Sequence, residues 1–222
     1  SVINGTGCGG TATSGTITLA AGDAKTCTIT NTRNTGSVLV NKLVDTNGDG
    51  TYEDGNAEAN NLGFTWSLDD SAPNAMGDTV SGVNTGTHQV TENSAPDDYH
   101  FVGWYYTNDK FGSCEETDES GPQGTELPAD VTVENNLTTE ITLCNQRDTG
   151  TITVNTVIIN NFEQDPGLFD LQVNGNTEAS DQGDGGTTGP VTVITGTHSV
   201  GEVAGTSTSL DDYISEISCD DE

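Results

Sequence analysis

Positive charge is scarce in this sequence. Its 222 residues include 5 Lys and Arg against 35 Asp and Glu, which gives a formal net charge of −30. Contacts to phosphates need clustered Lys and Arg side chains, so the composition excludes a direct nucleic-acid binder. Hydrophobic runs are short as well, and none approaches the roughly 18 apolar residues of a membrane-spanning helix. We therefore expect no membrane insertion.

Signatures of enzymes and of zinc sites are missing too. None of the five cysteines belongs to a Cys-x-x-Cys pair or has a histidine at ligand spacing. No Gly-x-Ser-x-Gly elbow occurs, and we expect no enzyme. Cysteines spread over Thr-, Gly- and Asn-rich strands indicate disulfides formed in an oxidising compartment. Two Asn-x-Thr sequons, at Asn4 and Asn136, are candidate glycosylation sites and agree with an extracellular or cell-surface location.

The acidity itself has two explanations. One is a soluble, self-repelling surface. The other is secretion into brine or another cation-rich medium, in which carboxylates hold hydrated ions, as in halophilic proteins. The sequence leaves both open.

The chain contains an internal repeat. Residues 36–42 (GSVLVNK) reappear 114 residues later as 150–156 (GTITVNT), and residues 86–92 (GTHQVTE) reappear 110 residues later as 196–202 (GTHSVGE). Such self-similarity indicates two copies of one structural module, each about 110 residues long.

The repeat also places the module boundaries. The segment before Gly36 (TITNTRNT) matches the segment before Gly150 (TLCNQRDT), and both look like a closing strand followed by a linker. Residues 36–147 are thus one complete module. Residues 148–222 are the head of a second module, and residues 1–35 are the tail of such a module. The sequence predicts two modules, one of them split between the chain termini.

The coarse secondary structure is all β. Short runs of Val, Ile, Leu and Thr alternate with polar residues at a period of two, and Gly, Asn, Asp and Pro clusters separate them. No window shows a helical stripe. Several short strands in each module of about 110 residues predict β-sandwiches.

Three stretches of the first module resemble a known family. The opening strand at 36–42, the stretch 90–99 (VTENSAPDDY) and the closing strand that ends at Asn145 are similar to CnaB-type, or SpaA-like, domains. These prealbumin-like domains occur in bacterial or archaeal surface proteins and pilins. The resemblance implies a seven-stranded Ig-like sandwich that serves as a stalk, spacer or shaft unit.

The resemblance also implies a covalent cross-link. In that family a Lys on the first strand and an Asn on the last can join as an intramolecular isopeptide, assisted by a Glu, and the matching residues here are Lys42, Asn145 and Glu92. A buried Lys loses its charge and becomes a nucleophile. The alternative is an ordinary edge-strand Lys42 that forms a salt bridge with Glu92. The split module has Thr156 at the lysine position, although Glu202 and Asn31 remain, so no isopeptide is expected there.

An acidic loop follows the opening strand. The spacing Asp-x-Asn-x-Asp-Gly over residues 45–50 places oxygen side chains around a turn, as calcium loops do. The twelfth position is Asn56 rather than Glu, so this is not a regular EF-hand. The candidate Ca²⁺ ligands are Asp45, Asn47, Asp49, Glu53 and Asp54. The alternative is an acidic hairpin loop that binds no ion.

An incomplete sandwich exposes unpaired backbone groups and an open apolar cleft. The tail 1–35 can fill the cleft of its own chain or that of a neighbour. Because a head-to-tail contact between copies does not close on itself, donation to a neighbour builds a homopolymeric filament. The alternative function is a monomeric stalk or spacer segment of a large repetitive cell-surface adhesin.

The spacing of the cysteines bears on the choice between these arrangements. Between Cys114 and Cys144 lie 29 residues, and joining the C-terminus of one chain to the N-terminus of the next leaves the same number between Cys219 and Cys27. We expect Cys114–Cys144 within the chain and Cys219 bonded to Cys27 of a neighbour. The rival pairing is Cys8–Cys27 with Cys219 free.

Overall fold

The fold of the chain is all β, with one short helix. A computed structural model describes the backbone of residues 2–4 and 8–10 and all of 14–107, 113–114, 123–159 and 167–220. In that part of the chain, no helix has the length and apolar character needed to cross a membrane.

The elements are numbered along the chain. The strands are β1 (Val2–Asn4), β2 (Cys8–Gly10), β3 (Gly15–Ile17), β4 (Thr28–Thr30), β5 (Thr35–Asp45), β6 (Thr65–Leu68), β7 (Asn74–Ala75), β8 (Thr79–Asn84), β9 (Gly86–Ser94), β10 (Tyr99–Tyr106), β11 (Ala129–Val133), β12 (Thr138–Arg147), β13 (Thr149–Ile152), β14 (Phe169–Val173), β15 (Asn176–Gln182), β16 (Val191–Ile194) and β17 (Val200–Ala204). The helix α1 spans Asn56–Leu62, and a 3-10 turn spans Leu210–Asp212.

Residues 35–147 form two four-stranded sheets. Their strand orders are β10-β12-β5-β8 and β11-β9-β6-β7, with β12 parallel to β5 and the other pairs antiparallel. The resemblance implied seven strands, and the two-residue β7 makes an eighth. Helix α1 was not expected because its seven residues bury only Ala59 and therefore show no apolar stripe.

The core of this region follows from the alternation along β5. Val38, Val40 and Val44 point inward and are fully buried, as is Lys42. β-Branched residues favour a pleated, buried strand of this kind. Trp66, Val90, Val131 and Leu143 from the neighbouring strands complete the core.

Residues 149–204 form smaller sheets with a related order. β13 pairs with β16, and a three-stranded sheet has the order β15-β14-β17. The repeated segments relate β13 to β5 and β17 to β9. In the strand orders β16 lies beside β13 as β8 lies beside β5, and β14 and β15 follow β17 as β6 and β7 follow β9.

Two histidines support this equivalence. In the first region His88 contacts Asp69 and the carbonyl oxygen of Asn84. In the second region His198 contacts Asn174 and the carbonyl oxygen of Ile194 in the same way. Each histidine thus contacts an Asp or Asn side chain through Nδ1 and the carbonyl oxygen of the residue four positions earlier through Nε2.

The described part of the tail forms two small pairs of strands, β1 with β4 and β2 with β3, both antiparallel. The tail joins the first region at the start of β5. There the carbonyl oxygen of Asn34 accepts a hydrogen bond from the backbone N–H of Thr85, and Arg33 donates to the carbonyl oxygen of Thr85.

Residues 149–204 attach at the opposite end of β5. A Cβ on Gly48 would lie 2.4 Å from the side chain of Thr149, which shows how closely the acidic loop packs on β13. His100 pairs with Asp148 of the linker at 2.5 Å. Entry and exit of the first region therefore lie at opposite ends.

Candidate functional site

Lys42 lies in the interior of the first region. It belongs to β5, which has β12 on one side and β8 on the other, and its residue is 1% exposed. The register sets Lys42 opposite Leu143, two residues before Asn145 on the parallel strand β12. Lys42 is therefore not on the edge of the sheet, but the ion pair with Glu92 that the alternative expected is present.

Three polar side chains meet at this buried position. The Nζ of Lys42 donates hydrogen bonds to Oε2 of Glu92 and to Oδ1 of Asn145. The Nδ2 of Asn145 donates to Oε1 of Glu92 over 2.9 Å. Each side chain thus contacts the other two, and the structure brings together the trio that the resemblance selects.

The strands explain why the three converge. Lys42 and Asn145 come from the adjacent parallel strands β5 and β12 of one sheet. Glu92 lies on β9 of the facing sheet, opposite Trp66 on β6. The ammonium group therefore sits between the two sheets of the sandwich, where a nonpolar residue would ordinarily stand.

The surroundings raise the neutral fraction of the Lys42 amine. The Nζ of Lys42 is 4.7 Å from the centroid of the Phe64 ring and 5.9 Å from that of Phe101. Burial lowers the pKa of Lys42 from 10.5 to about 8, although the charge and hydrogen bond of Glu92 act to raise it. With that pKa about one amine in ten is uncharged at pH 7, against about one in several thousand for an ordinary lysine.

The sequence argument missed two supports of the trio. The backbone N–H of Lys42 donates to Oδ1 of Asn56, 2.7 Å away, which ties β5 to helix α1. The aromatic rings of Phe64 and Phe101 form the apolar wall around the amine. The alternating pattern around Phe64 was a usable signal for the wall, whereas no local pattern points to Asn56.

This arrangement is suited to forming an amide between two side chains. The neutral Nζ of Lys42 can attack the side-chain carbonyl carbon of Asn145, and the carbon–nitrogen bond of the carboxamide then breaks. Glu92 contacts both nitrogens and can carry a proton from Nζ to the departing Nδ2. The products are one isopeptide bond and one ammonia.

The acidic loop is closed by its own hydrogen bonds. The carboxylate of Asp45 is fully buried and accepts from the backbone N–H groups of Asn47, Gly48 and Gly50 and from Nε2 of Gln146. Asp45 therefore anchors the turn to the end of β12, a role that the sequence argument did not give it.

The other candidate calcium ligands lie around this turn. Asn47 and Asp49 are exposed and hydrogen-bonded to each other. Thr51 donates hydrogen bonds to the Asp49 carboxylate, and these lower the pKa of Asp49. Asp54 accepts from Thr46 over 2.5 Å, and Glu53 is exposed. Among the residues that the structure describes, no group of three or more His, Cys, Asp and Glu side chains could hold a metal ion.

The cysteines occupy three situations. The expected disulfide between Cys114 and Cys144 is present and ties β12 to the segment after β10. Cys27 is also disulfide-bonded in the single chain, and Cys219 is free and exposed. A disulfide-bonded Cys27 together with a free Cys219 is what the rival pairing, Cys8–Cys27, requires. The side chain of Cys8, its proposed partner, lies outside the described residues.

The structure describes the backbone and side chain of Asn136 but only the backbone of Asn4, the other glycosylation candidate. Asn136 is exposed in the turn between β11 and β12, with a positive φ of 60°. The backbone of Asn4 pairs with Thr28 in β4, and its side chain lies outside the described residues. Asn136 is thus accessible to a modifying enzyme.

No family model, curated protein or solved structure matches the chain.

Proposed function

We propose that the chain is a structural subunit of an extracellular filament or surface fibre, assembled head to tail from copies of itself by β-strand donation. In this proposal residues 36–147 are a whole CnaB-like sandwich locked by a Lys42–Asn145 isopeptide. Residues 148–222 are an incomplete sandwich, and residues 1–35 are the segment that completes the next copy. The chain has no enzymatic activity on a separate substrate.

The strand order is the observation that carries this proposal. The sheet β10-β12-β5-β8 has the partial counterpart β13-β16, and the sheet β11-β9-β6-β7 has the partial counterpart β17-β14-β15. Within the described residues each partial sheet ends where a strand like β12 or β11 would pair. By the 114-residue repeat, the tail carries the matching strands: β4 corresponds to β12, and β3 corresponds to β11.

Exposed hydrophobic side chains support the same arrangement. Ten large hydrophobic residues are exposed in the described chain, and nine of them lie outside residues 36–147. In the tail, Ile17, Leu19 and Ile29 are 40%, 59% and 61% exposed. Their repeat equivalents, Val131, Val133 and Leu143, are at most 1% exposed. Burying each such side chain stabilises by about 1.5–3 kcal/mol, which is a driving force for donation.

The second candidate function is a monomeric stalk or spacer segment of a larger adhesin. The contact of Gly48 with Thr149 and the pair His100–Asp148 favour it, because they fix the two regions end to end as a stalk requires. A stalk segment of this kind forms no ordered polymer.

Negative-stain electron microscopy of the purified chain separates the two functions. We expect filaments in which one subunit repeats along the axis, in buffer of high salt. Because subunits of charge −30 repel each other, the filaments should shorten or dissociate at low ionic strength with a chelator present. Monodisperse single particles under all of these conditions would support the stalk function instead.

We also propose that the acidic loop binds Ca²⁺ through Asn47, Asp49, Glu53 and Asp54, while Asp45, whose carboxylate accepts hydrogen bonds from the loop backbone and Gln146, holds the turn in shape. Calorimetric titration of the chain with CaCl₂ should then show one site with a Kd of about 10⁻⁴–10⁻³ M, the range of extracellular calcium modules. The variant Asp49→Asn removes one charged oxygen from an exposed position and should weaken binding about tenfold or more. Equal heats for the chain and the variant would contradict the site.

A further inference from the structure

The repeat places the equivalents of the buried trio at Thr156, Glu202 and Asn31, and in the described residues the strand that contains Thr156 is unpaired on one edge. We propose that Thr156 and Glu202 of one subunit and Asn31 of the next form a composite site at the joint. Ile29 lies there opposite Thr156 in a parallel pair of β4 with the extended β13 strand. This inference rests on the proposed strand donation and specifies its register.

The strand that contains β13 has one occupied edge. β13 pairs with β16, and the pairing continues beyond it: Asn155 bridges to Thr187, and Thr156 exchanges hydrogen bonds with Gly186 and Gly185. Within the described residues, the opposite edge carries no paired strand. In the first region β12 fills that edge of β5.

Side chains along this strand are incompletely buried, as expected for a strand that lacks a neighbour on one edge. Val38, Val40 and Val44 of β5 are fully buried, whereas their equivalents Ile152, Val154 and Ile158 are only half-buried. Thr156, the equivalent of Lys42, is already buried at 6% exposure. The position that a lysine takes in the first region thus already points inward.

Glu202 has the same strand register as Glu92. It lies on β17 opposite Leu171 of β14, just as Glu92 lies on β9 opposite Trp66 of β6. Its Oε1 accepts a hydrogen bond from Ser215 over 2.8 Å. Residues 148–222 therefore carry residues at the strand positions of two members of the trio.

The tail supplies the third member in matching register. The repeat equates Ile29 with Leu143 and Asn31 with Asn145, and Leu143 pairs with Lys42 in the first region. Joining β4 to β13 gives the order β1-β4-β13-β16, with antiparallel, parallel and antiparallel pairs. The last three strands reproduce the order and directions of β12-β5-β8, and β1, which is not the repeat equivalent of β10, takes the place beside β4.

Geometry favours a neighbouring copy as the donor. The tail is held at Thr85, at the start of β5, whereas β13 begins beyond the far end of that strand. Along its 11 residues β5 extends about 33 Å at about 3.3 Å per residue. Ile29 is five residues before Asn34, so Ile29 can lie at most about 17 Å from Asn34. This distance is about half the length of β5.

The natural joint lacks the nucleophile, since Thr156 replaces the lysine. It is therefore held by strand pairing and side-chain hydrogen bonds, and a single substitution should make it covalent. In Thr156→Lys the introduced amine nitrogen bonds to the side-chain carbonyl carbon of Asn31 of the next copy. The carboxamide carbon–nitrogen bond breaks, Glu202 carries a proton from the amine to the departing nitrogen, and one ammonia leaves.

The test compares the purified full chain and its Thr156→Lys variant after reduction and boiling in SDS. We expect the unmodified chain to run as a monomer and Thr156→Lys to form a ladder, with a loss of about 17 Da per joint in addition to that of the first region. Adding Asn31→Ala or Glu202→Ala to Thr156→Lys should abolish the ladder. Mixing Thr156→Lys/Asn31→Ala with the unmodified chain should restore a covalent dimer.

Other outcomes overturn the composite site. A second loss of 17 Da in a band that stays monomeric places the bond within one chain. If electron microscopy finds filaments of both the unmodified chain and Thr156→Lys but the gel shows no ladder, the composite site is overturned and strand donation still stands. If electron microscopy finds only monomers of both, strand donation is overturned as well. If Thr156→Lys does not fold, the register is read from a high-resolution structure of the unmodified filament, and any pairing other than Ile29 opposite Thr156 contradicts the inference.

Discussion

The reduced, intact chain should weigh about 17 Da less than its sequence mass, because formation of the Lys42–Asn145 isopeptide releases one ammonia. Reduction removes the mass change of the disulfides, so this loss reports on the cross-link alone. Tandem mass spectrometry of a proteolytic digest should find the peptides that contain Lys42 and Asn145 joined. A mass equal to that of the sequence would show that the trio is only a buried hydrogen-bonded cluster.

Substitutions in the trio should remove both the mass loss and much of the stability. The bond links positions 103 residues apart, and a cross-link that closes a loop of about 100 residues contributes about 4–5 kcal/mol in the chain-entropy model. For a region of this size each kcal/mol corresponds to about 4–8 °C in Tm. We expect Lys42→Ala and Glu92→Gln each to lower Tm by about 20 °C or more.

The matched control is Lys25→Ala. Lys25 is an exposed tail residue that pairs with Asp23, and its loss should leave the 17 Da difference and the Tm unchanged. Glu92→Gln is the more informative variant because it keeps the size of the side chain and removes only the proton carrier. A Glu92→Gln chain that still shows the full mass loss would contradict the role of Glu92.

The sequence predicts much of this architecture because the hydrophobic alternation along the strands and the internal repeat agree. The alternation of Val38, Val40 and Val44 sets which side of β5 is buried, and the repeat transfers that strand to Ile152 and Val154. The disulfide Cys114–Cys144 was expected from the position of its cysteines around the closing strands, and it is present. These features depend on local periodicity and on spacing, which a sequence shows directly.

The role of Asp45 could not be predicted from local periodicity and spacing. Its motif is that of a cation ligand, whereas in the structure its carboxylate is surrounded by backbone N–H groups and Gln146, 101 residues away. Contacts of this kind are set by how β12 ends beside β5, which no local pattern contains. The same holds for Asn56, whose side chain orients Lys42 from helix α1.

Introducing one charge into the donor strand should abolish assembly. In Ile29→Asp a carboxylate takes the place equivalent to the fully buried Leu143. Burying an unpaired charge costs several kcal/mol, so the assembly constant should fall at least about a hundredfold. Sedimentation and electron microscopy should then find monomers where the unmodified chain forms filaments.

Leu137→Asp is the matched control for that loss. Leu137 is 55% exposed, close to the 61% of Ile29, but it lies in the turn between β11 and β12 and outside the donor strand. Its variant should assemble normally. Both variants should keep the 17 Da loss of the first region, which shows that the chain has folded. Because Ile29 makes its proposed contacts only in a neighbouring copy, filaments of normal length from Ile29→Asp would refute strand donation through β4 whatever the state of the isopeptide.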